Sequence, residues 1–240
     1  MKASNWEFEN RALIFGLIFA VAFPLYSLDH QNSTAVLANW LAAKLKMDAD
    51  RVARLLFTLA SMVMIAAASI RTWASAYLHA GIVYSSEVKA ASLVADGPYR
   101  RVRNPLYSAN ILMSIALGAM MSRAGFVVAV VAMMAFCYRL ILREEAELQE
   151  AQGERYQQFR KTVPRLWPSL RARVPSSGTP ARWSEGFKAE GWYWGFALSL
   201  VVFTITLKLM WFFVILGASI ALFWASAYLL GKESKSQGAS

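Results

Sequence analysis

The chain has 240 residues, 57% of them hydrophobic, with a net charge of +10 and a mean hydropathy of +0.37. That is too apolar for an ordinary soluble domain, whose apolar share is nearer ~45–50%. The apolar runs are long and do not alternate, which excludes a β-barrel and points to an all-α, polytopic membrane helical bundle. The positive excess reads as loop Lys and Arg facing anionic lipid, not as a nucleic-acid surface. The one cysteine, Cys137, lies inside an apolar run and reads as a small core residue.

Residues 1–11 are polar, and Ala12–Leu28 is a first span, expected to kink at Pro24. Ala20-Val21-Ala22 mimics a signal-peptidase site, but acidic Glu7 and Glu9 upstream and Pro24 just beyond argue for a retained span. In 29–51, Ser33 or Thr34 is the expected cap of an interfacial helix with Val36, Leu37, Trp40, Leu41 and Leu45 on one face. Val52–Leu78 is the second span, carrying Arg54 at its start and Arg71 deeper. A cation at such depth costs ~2.5–3.5 kcal/mol on insertion scales, so Arg71 either snorkels or is aimed at an anionic group.

A polar connector, 81–96, leads to Asp96-Gly97-Pro98-Tyr99-Arg100-Arg101-Val102-Arg103-Asn104-Pro105. Asn104 is a candidate N-cap and Pro105 suits the first helical position. Leu106–Met121 then runs through apolar medium, Ser122–Gly125 turns it, and Phe126–Leu142 returns. A hairpin brings its far end back to the face where it began, so Arg103 and Asn104 should meet Glu144 and Glu145. Adjacent helical carboxylates diverge by about 100°, so the two glutamates cannot point at one atom. The helix is expected to continue past the membrane to a stop at Gly153 and a short helix over 154–162.

Residues 171–191, rich in Pro, Ser, Gly and basic side chains, read as a linker. The run 192–230 would make a helix of ~58 Å, almost twice the ~30 Å hydrocarbon core, and is expected to split near Lys208–Trp211 into a two-span hairpin. The tail after Gly231 reads as disordered. This gives one membrane domain with about six spans: 1–80 with the interfacial helix, a core over 96–170, the linker, and the final hairpin. Of the 25 Lys and Arg, Lys44, Lys46, Arg51, Arg123 and Lys208 fall on one side and Arg54, Arg71 and Arg139 within spans; the rest lie opposite. The bias puts both ends of the chain and both polar clusters in the cytoplasm, in a bacterial inner membrane. His30 and His79 lie in different connections, and no metal site is expected.

Taken together, Gly97-Pro98-Tyr99-Arg100, Arg103-Asn104-Pro105-Leu106-Tyr107, the paired spans, Glu144-Glu145, Gly153-Glu154-Arg155-Tyr156, Phe159 and Val163-Pro164 resemble the isoprenylcysteine carboxyl methyltransferases. The phospholipid methyltransferases are similar. The resemblance covers roughly 70–170, with Arg71-Thr72-Trp73 and Tyr77-Leu78 as lead-in; 1–60 and 180–240 show none. It implies a helical cap on the cytosolic side after the hairpin, and S-adenosylmethionine as methyl donor for a lipophilic acceptor, either an isoprenylcysteine-like carboxylate or a lipid head group. Arg103, Asn104 and Glu144 become the catalytic candidates. Tyr99, Arg103, Asn104, Pro105, Tyr107, Glu144, Glu145, Tyr156 and Arg71 become the cofactor-binding ones. By chemical type, a glutamate suits the cofactor's ammonium or ribose hydroxyls, an arginine its carboxylate, and the tyrosines packing and hydroxyl contacts. The family usually has His where this chain has Asn104, which favours hydrogen bonding over proton transfer there. Two other readings compete: an NADPH-dependent reductase of the membrane sterol type, and a non-catalytic scaffold of the same fold.

Overall fold

The fold comes from a computed structural model, whose described residues are 2–78 and 95–237, with only the backbone path described for 226–237. The connector 81–94 and His79 lie outside the described residues. Among the described residues the protein is all-α: α1 (Asn5–Glu9), α2 (Arg11–Ala22), α3 (Ser33–Leu45), α4 (Ala49–Ser75), α5 (Pro105–Gly118), α6 (Arg123–Thr162), α7 (Trp183–Thr206) and α8 (Leu209–Gln237). Two of them, α4 and α6, are long and apolar enough to cross a membrane; Arg11–Ser27, Pro105–Gly118 and Leu209–Ala225 are shorter apolar helices.

The expected breaks follow local chemistry. Pro24 turns the end of the first apolar run into a 3-10 segment, Phe23–Ser27. Ser122 starts α6 by accepting a hydrogen bond from the Gly125 N–H at 3.1 Å. Gly153, at φ 54°, breaks α6 where a side chain would be strained. The split of the last apolar run falls at Leu207.

Other boundaries differ from expectation. The cap of α3 is Asn32, whose side chain accepts from the Ala35 N–H at 3.0 Å; Ser33 and Thr34 instead donate to carbonyls of the α5–α6 turn. The inward face of α3 is Thr34, Ala38 and Ala42, while Leu37, Trp40 and Leu45 face outward. α7 begins at Trp183, so the linker is shorter than 171–191, and α8 continues to Gln237 in place of a disordered tail. The polar start holds a short helix, α1, closed by a capping box between Ser4 and Glu7.

The core sits where α4, α5 and α7 meet. Ala67, Ala68, Ala109, Ala116 and Ala197 are all buried there, and these small side chains let the three backbones approach closely. α2 packs along α6. At one end, Asp29 pairs with Arg123 at 3.0 Å and the Ser33 N–H donates to the Met121 carbonyl at 2.9 Å. At the other, Arg139 of α6 donates to both carboxylate oxygens of Glu7, at 2.9 and 2.7 Å. Arg54 donates to the carbonyls of Thr204 and Ile205 at 3.3 and 2.8 Å, placing a cation on the carbonyl end of α7.

Candidate active site

The stretch from Gly97 to Pro105 is held against the segment that follows α6. Gly97 opens a 3-10 turn, Gly97–Arg100, at φ 57°; a Cβ there would lie 2.4 Å from the Tyr77 ring, so only glycine fits. The Arg103 N–H donates to the Pro164 carbonyl at 2.9 Å, the Arg173 N–H to the Arg100 carbonyl at 2.8 Å, and the Ser108 hydroxyl to the Leu166 carbonyl at 2.7 Å. Val163–Val174 therefore runs beside Arg100–Ser108 and roofs the start of α5.

Asn104 occupies the N-cap position of α5 and Pro105 its first turn, but the Asn104 side chain makes no capping bond. Its amide donates instead to the Arg165 carbonyl at 3.2 Å. This corrects the capping role expected of it: the roof segment has claimed the side chain.

The hairpin brings the two clusters together. The carboxylates of Glu144 and Glu145 are buried and diverge as helical spacing requires. Glu144 accepts from the Tyr107 hydroxyl at 2.6 Å. Glu145 faces the roof, where Arg165 forks onto both its oxygens at 3.1 and 2.8 Å and Arg103 approaches to 3.2 Å. The bonds to Glu145 raise the Arg165 guanidinium above its ordinary value. Burial lowers that of Arg103, against the pull of Glu145. Tyr156, fully buried, packs with Phe159 and Val163 and is a hydrogen-bond partner of Arg103. Two buried polar atoms here have no partner, the Tyr99 hydroxyl and the Arg103 Nε. Burial pushes the Tyr99 phenol well above its usual range, and the Glu144 charge adds to this.

Arg71 is placed otherwise. It donates to Glu190 of α7 through Nε at 2.5 Å and Nη2 at 3.0 Å, and to the Asn110 side-chain oxygen through Nη1 at 2.7 Å. Ser75 adds a bond to Glu190 at 2.6 Å, and the Tyr193 hydroxyl one to Asn110 at 2.5 Å. Glu190, Asn110 and Ser75 were missed in the sequence. A charge in the opening turns of an apolar helix was the available signal, and it called for a buried partner.

Beside this network a cavity of about 400 Å³ lies among α2, α4, α5, α6 and α7. Phe15, Phe19, Phe23, Met133 and Phe196 make it apolar, while Arg11, Arg71, Asn110, Tyr193 and Tyr107 line its polar part. Tyr107 thus touches both the cavity and Glu144. A further clamp fixes the approach to the turn: the buried Asp96 carboxylate accepts from the Ser176 hydroxyl at 2.6 Å, the Ser177 N–H at 2.9 Å, the Ser177 hydroxyl, and the Thr179 N–H at 3.1 Å. Burial pushes this carboxyl up, but the hydrogen bonds outweigh it and hold it well below the usual carboxylate range. Among the described residues, no three His, Cys, Asp or Glu side chains converge as a metal site.

This geometry coincides with a family match. Residues 52–155 fit the family model described as phospholipid methyltransferase. The chain is 28% identical over 137 residues to the cobalt-zinc-cadmium resistance protein CzcN of Cupriavidus metallidurans, covering 57% of this chain and 60% of that one. It is 28% identical over 88 residues to the nickel-cobalt-cadmium resistance protein NccN of Alcaligenes xylosoxydans xylosoxydans, covering 37% of this chain and 41% of that one. The matches thus span less than two thirds of either relative. No solved structure matches. Both glutamates, the Arg103-Asn104-Pro105 turn and Arg71 fall inside the segment, residues 52–155, that matches the phospholipid methyltransferase family model.

Proposed function

We propose that the protein is an integral membrane methyltransferase that takes S-adenosylmethionine at the Arg103–Glu144–Glu145 cluster and a lipophilic acceptor from the adjoining cavity. The observation that carries the reading is the hairpin's juxtaposition of Arg103 with Glu145, next to the buried Glu144 and beside two buried polar atoms that lack partners. Such atoms cost free energy unless a ligand completes them. The residue set fits the cofactor, which has a carboxylate for the Arg103 guanidinium, an ammonium and ribose hydroxyls for Glu144, and acceptor atoms for the Tyr99 hydroxyl. Glu145 is a positioning residue: it holds Arg103 and Arg165 in place. When bound, S-adenosylmethionine would supply an electrophilic methyl group, which an acceptor nucleophile takes as the carbon–sulfur bond breaks and S-adenosylhomocysteine leaves.

The chain's own contribution is alignment and exclusion of water, which is what such a displacement needs. An acceptor carboxylate is ionised at neutral pH and needs no base. An acceptor amine would need to lose a proton, and Glu144 is a carboxylate bonded to a residue of the cavity wall, Tyr107. The proposed frame is six spans with the cluster facing the cytoplasm, residues 96–170 as the catalytic core, and the flanking spans as walls for the acceptor.

Thermal stabilisation by S-adenosylhomocysteine but not by NADPH supports the reading; the reverse selects the reductase. Orientation is tested by single cysteines and a membrane-impermeant thiol reagent on intact cells. Position 123 should label and positions 98 and 178 should not; labelling at 98 overturns the cytoplasmic site.

A further inference from the structure

We propose that Asn110 orients the acceptor: its side-chain amide is locked so that the NH2 donates to an oxygen of the molecule in the cavity, which selects ester, carboxylate or carbonyl heads over ammonium heads. The inference rests on the proposed function only for the word acceptor; the binding preference stands by itself.

The lock follows from donor and acceptor types. Arg71 has only donors, and its Nη1 lies 2.7 Å from the Asn110 side-chain oxygen. That contact fixes which end of the amide is oxygen. Tyr193 donates to the same oxygen at 2.5 Å. The oxygen is therefore doubly occupied and the amide cannot flip. Arg71 is itself held by the fork onto Glu190, and its guanidinium lies 4.3 Å from the Tyr193 ring centre, so the two donors brace one another. The amide nitrogen is left with two hydrogens. The Cys137 side chain is within hydrogen-bond reach of Asn110, but sulfur is a weak acceptor. Asn110 is 2% exposed and lines the cavity. A fixed donor at the edge of an apolar cavity discriminates by what it leaves unpaired, and a ligand without an acceptor oxygen strands it.

Charge points the same way. Arg71 is paired with Glu190, and the other charged residue of the lining, Arg11, is also a cation, so the lining offers no carboxylate to attract an ammonium. The Tyr107 hydroxyl is committed to Glu144 as donor. A head group that accepts hydrogen bonds, on an apolar body facing Phe15, Phe19 and Phe196, matches what the walls offer.

The test uses the full chain in phosphatidylcholine nanodiscs and two probes with the same chain, ω-bromododecanoate methyl ester and ω-bromododecylammonium. Bromine quenching of tryptophan is read as the difference between the parent and Trp192→Phe, since Trp192 lines the cavity. Each probe is compared between parent and variant, which cancels its partition into lipid. In the parent, the ester should quench saturably and bind about tenfold more tightly than the ammonium, the size of one well-placed hydrogen bond. Asn110→Asp keeps an acceptor for Arg71 and Tyr193 but removes the NH2, and should abolish or invert the preference. Asn110→Ser serves if that variant does not fold, and should also lose it. Gly16→Phe should exclude both probes: Gly16 lines the cavity and a Cβ there has open space. A parent that binds both probes alike, or an Asn110→Asp variant that keeps the ester preference, overturns the inference. Ester selectivity without any binding of S-adenosylhomocysteine would sink the methyltransferase reading and leave this one standing; cofactor binding without selectivity does the opposite.

Discussion

Arg71 on α4 and Glu190 on α7 lie 2.5 Å apart with the carboxylate wholly buried, 119 positions from its partner in sequence. The pair, with Ser75 and Asn110, ties three helices at one point. Such a pair is weak evidence for stability as a pair, but removing one partner leaves a buried charge alone. Arg71→Ala and Glu190→Ala should therefore each lower unfolding free energy by about 3–5 kcal/mol. The double change Arg71→Met with Glu190→Leu should be more stable than either single. Unfolding in detergent by heat or denaturant measures this, and single variants as stable as the parent would refute it.

The two adjacent glutamates should separate cleanly by function. Glu144→Gln keeps an oxygen for the Tyr107 hydroxyl while removing the charge, so the fold should hold. S-adenosylhomocysteine should then bind at least about tenfold more weakly, the loss of one charge-assisted bond. Glu145→Gln loosens Arg103 and Arg165 and should lower the melting temperature as well as affinity. Isothermal calorimetry beside a melting curve distinguishes them; a Glu144→Gln variant that binds like the parent places the cofactor elsewhere.

Asn104→Ala should cost about 0.5–1.5 kcal/mol through the lost bond to the Arg165 carbonyl, with no additional capping term. Asn104→Asp should cost more, because it sets an oxygen against that carbonyl. Asn104→His keeps a donor and should retain binding. Denaturant titration of the three variants settles the order. An aspartate variant as stable as the parent would mean the roof segment does not depend on this contact.

The Asp96 clamp predicts a one-sided pH response. Its carboxyl is depressed in the folded protein, so its contribution is present above the ordinary carboxylate range and is lost only as pH falls below it. Between neutrality and mildly acidic pH the loop at Ser176–Thr179 should stay closed. Asp96→Ala should open it at any pH, seen as faster tryptic cleavage at Arg173 and Arg182. Equal cleavage rates in parent and variant would remove the clamp from the account.

Local chemistry made much of this legible. Pro24, Gly153 and the over-long run at 192–230 announced their breaks, and the hairpin alone required Arg103 to meet the glutamate pair, which it does at Glu145. What stayed hidden has two physical causes. One is distance along the chain: nothing near Arg71 names Glu190, and nothing near Glu145 names Arg165 as its closer partner. The other is that lipid reverses the usual amphipathic logic. The bulky apolar face of α3 points outward and its small residues point in, because close packing in a membrane favours Ala over Leu and Trp. Asn104 misled for a third reason. The cap position was right, but a tertiary carbonyl outcompeted the local N–H groups.

The α1–α2 segment is fastened to α6 at both ends, by Glu7 of α1 to Arg139 and by the turn at Asp29 to Arg123. A wall pinned at both ends cannot swing out to admit a longer guest, so the cavity acts as a fixed gauge. Partition into a bilayer strengthens by about 0.8 kcal/mol with every added methylene. Binding here should follow that slope only until the chain fills the space, and then go flat. In a series of ω-bromo esters of increasing length, the affinity corrected for lipid partition should hold level, reach a break and then fall. Cutting the Glu7–Arg139 fastening should move the break to longer chains.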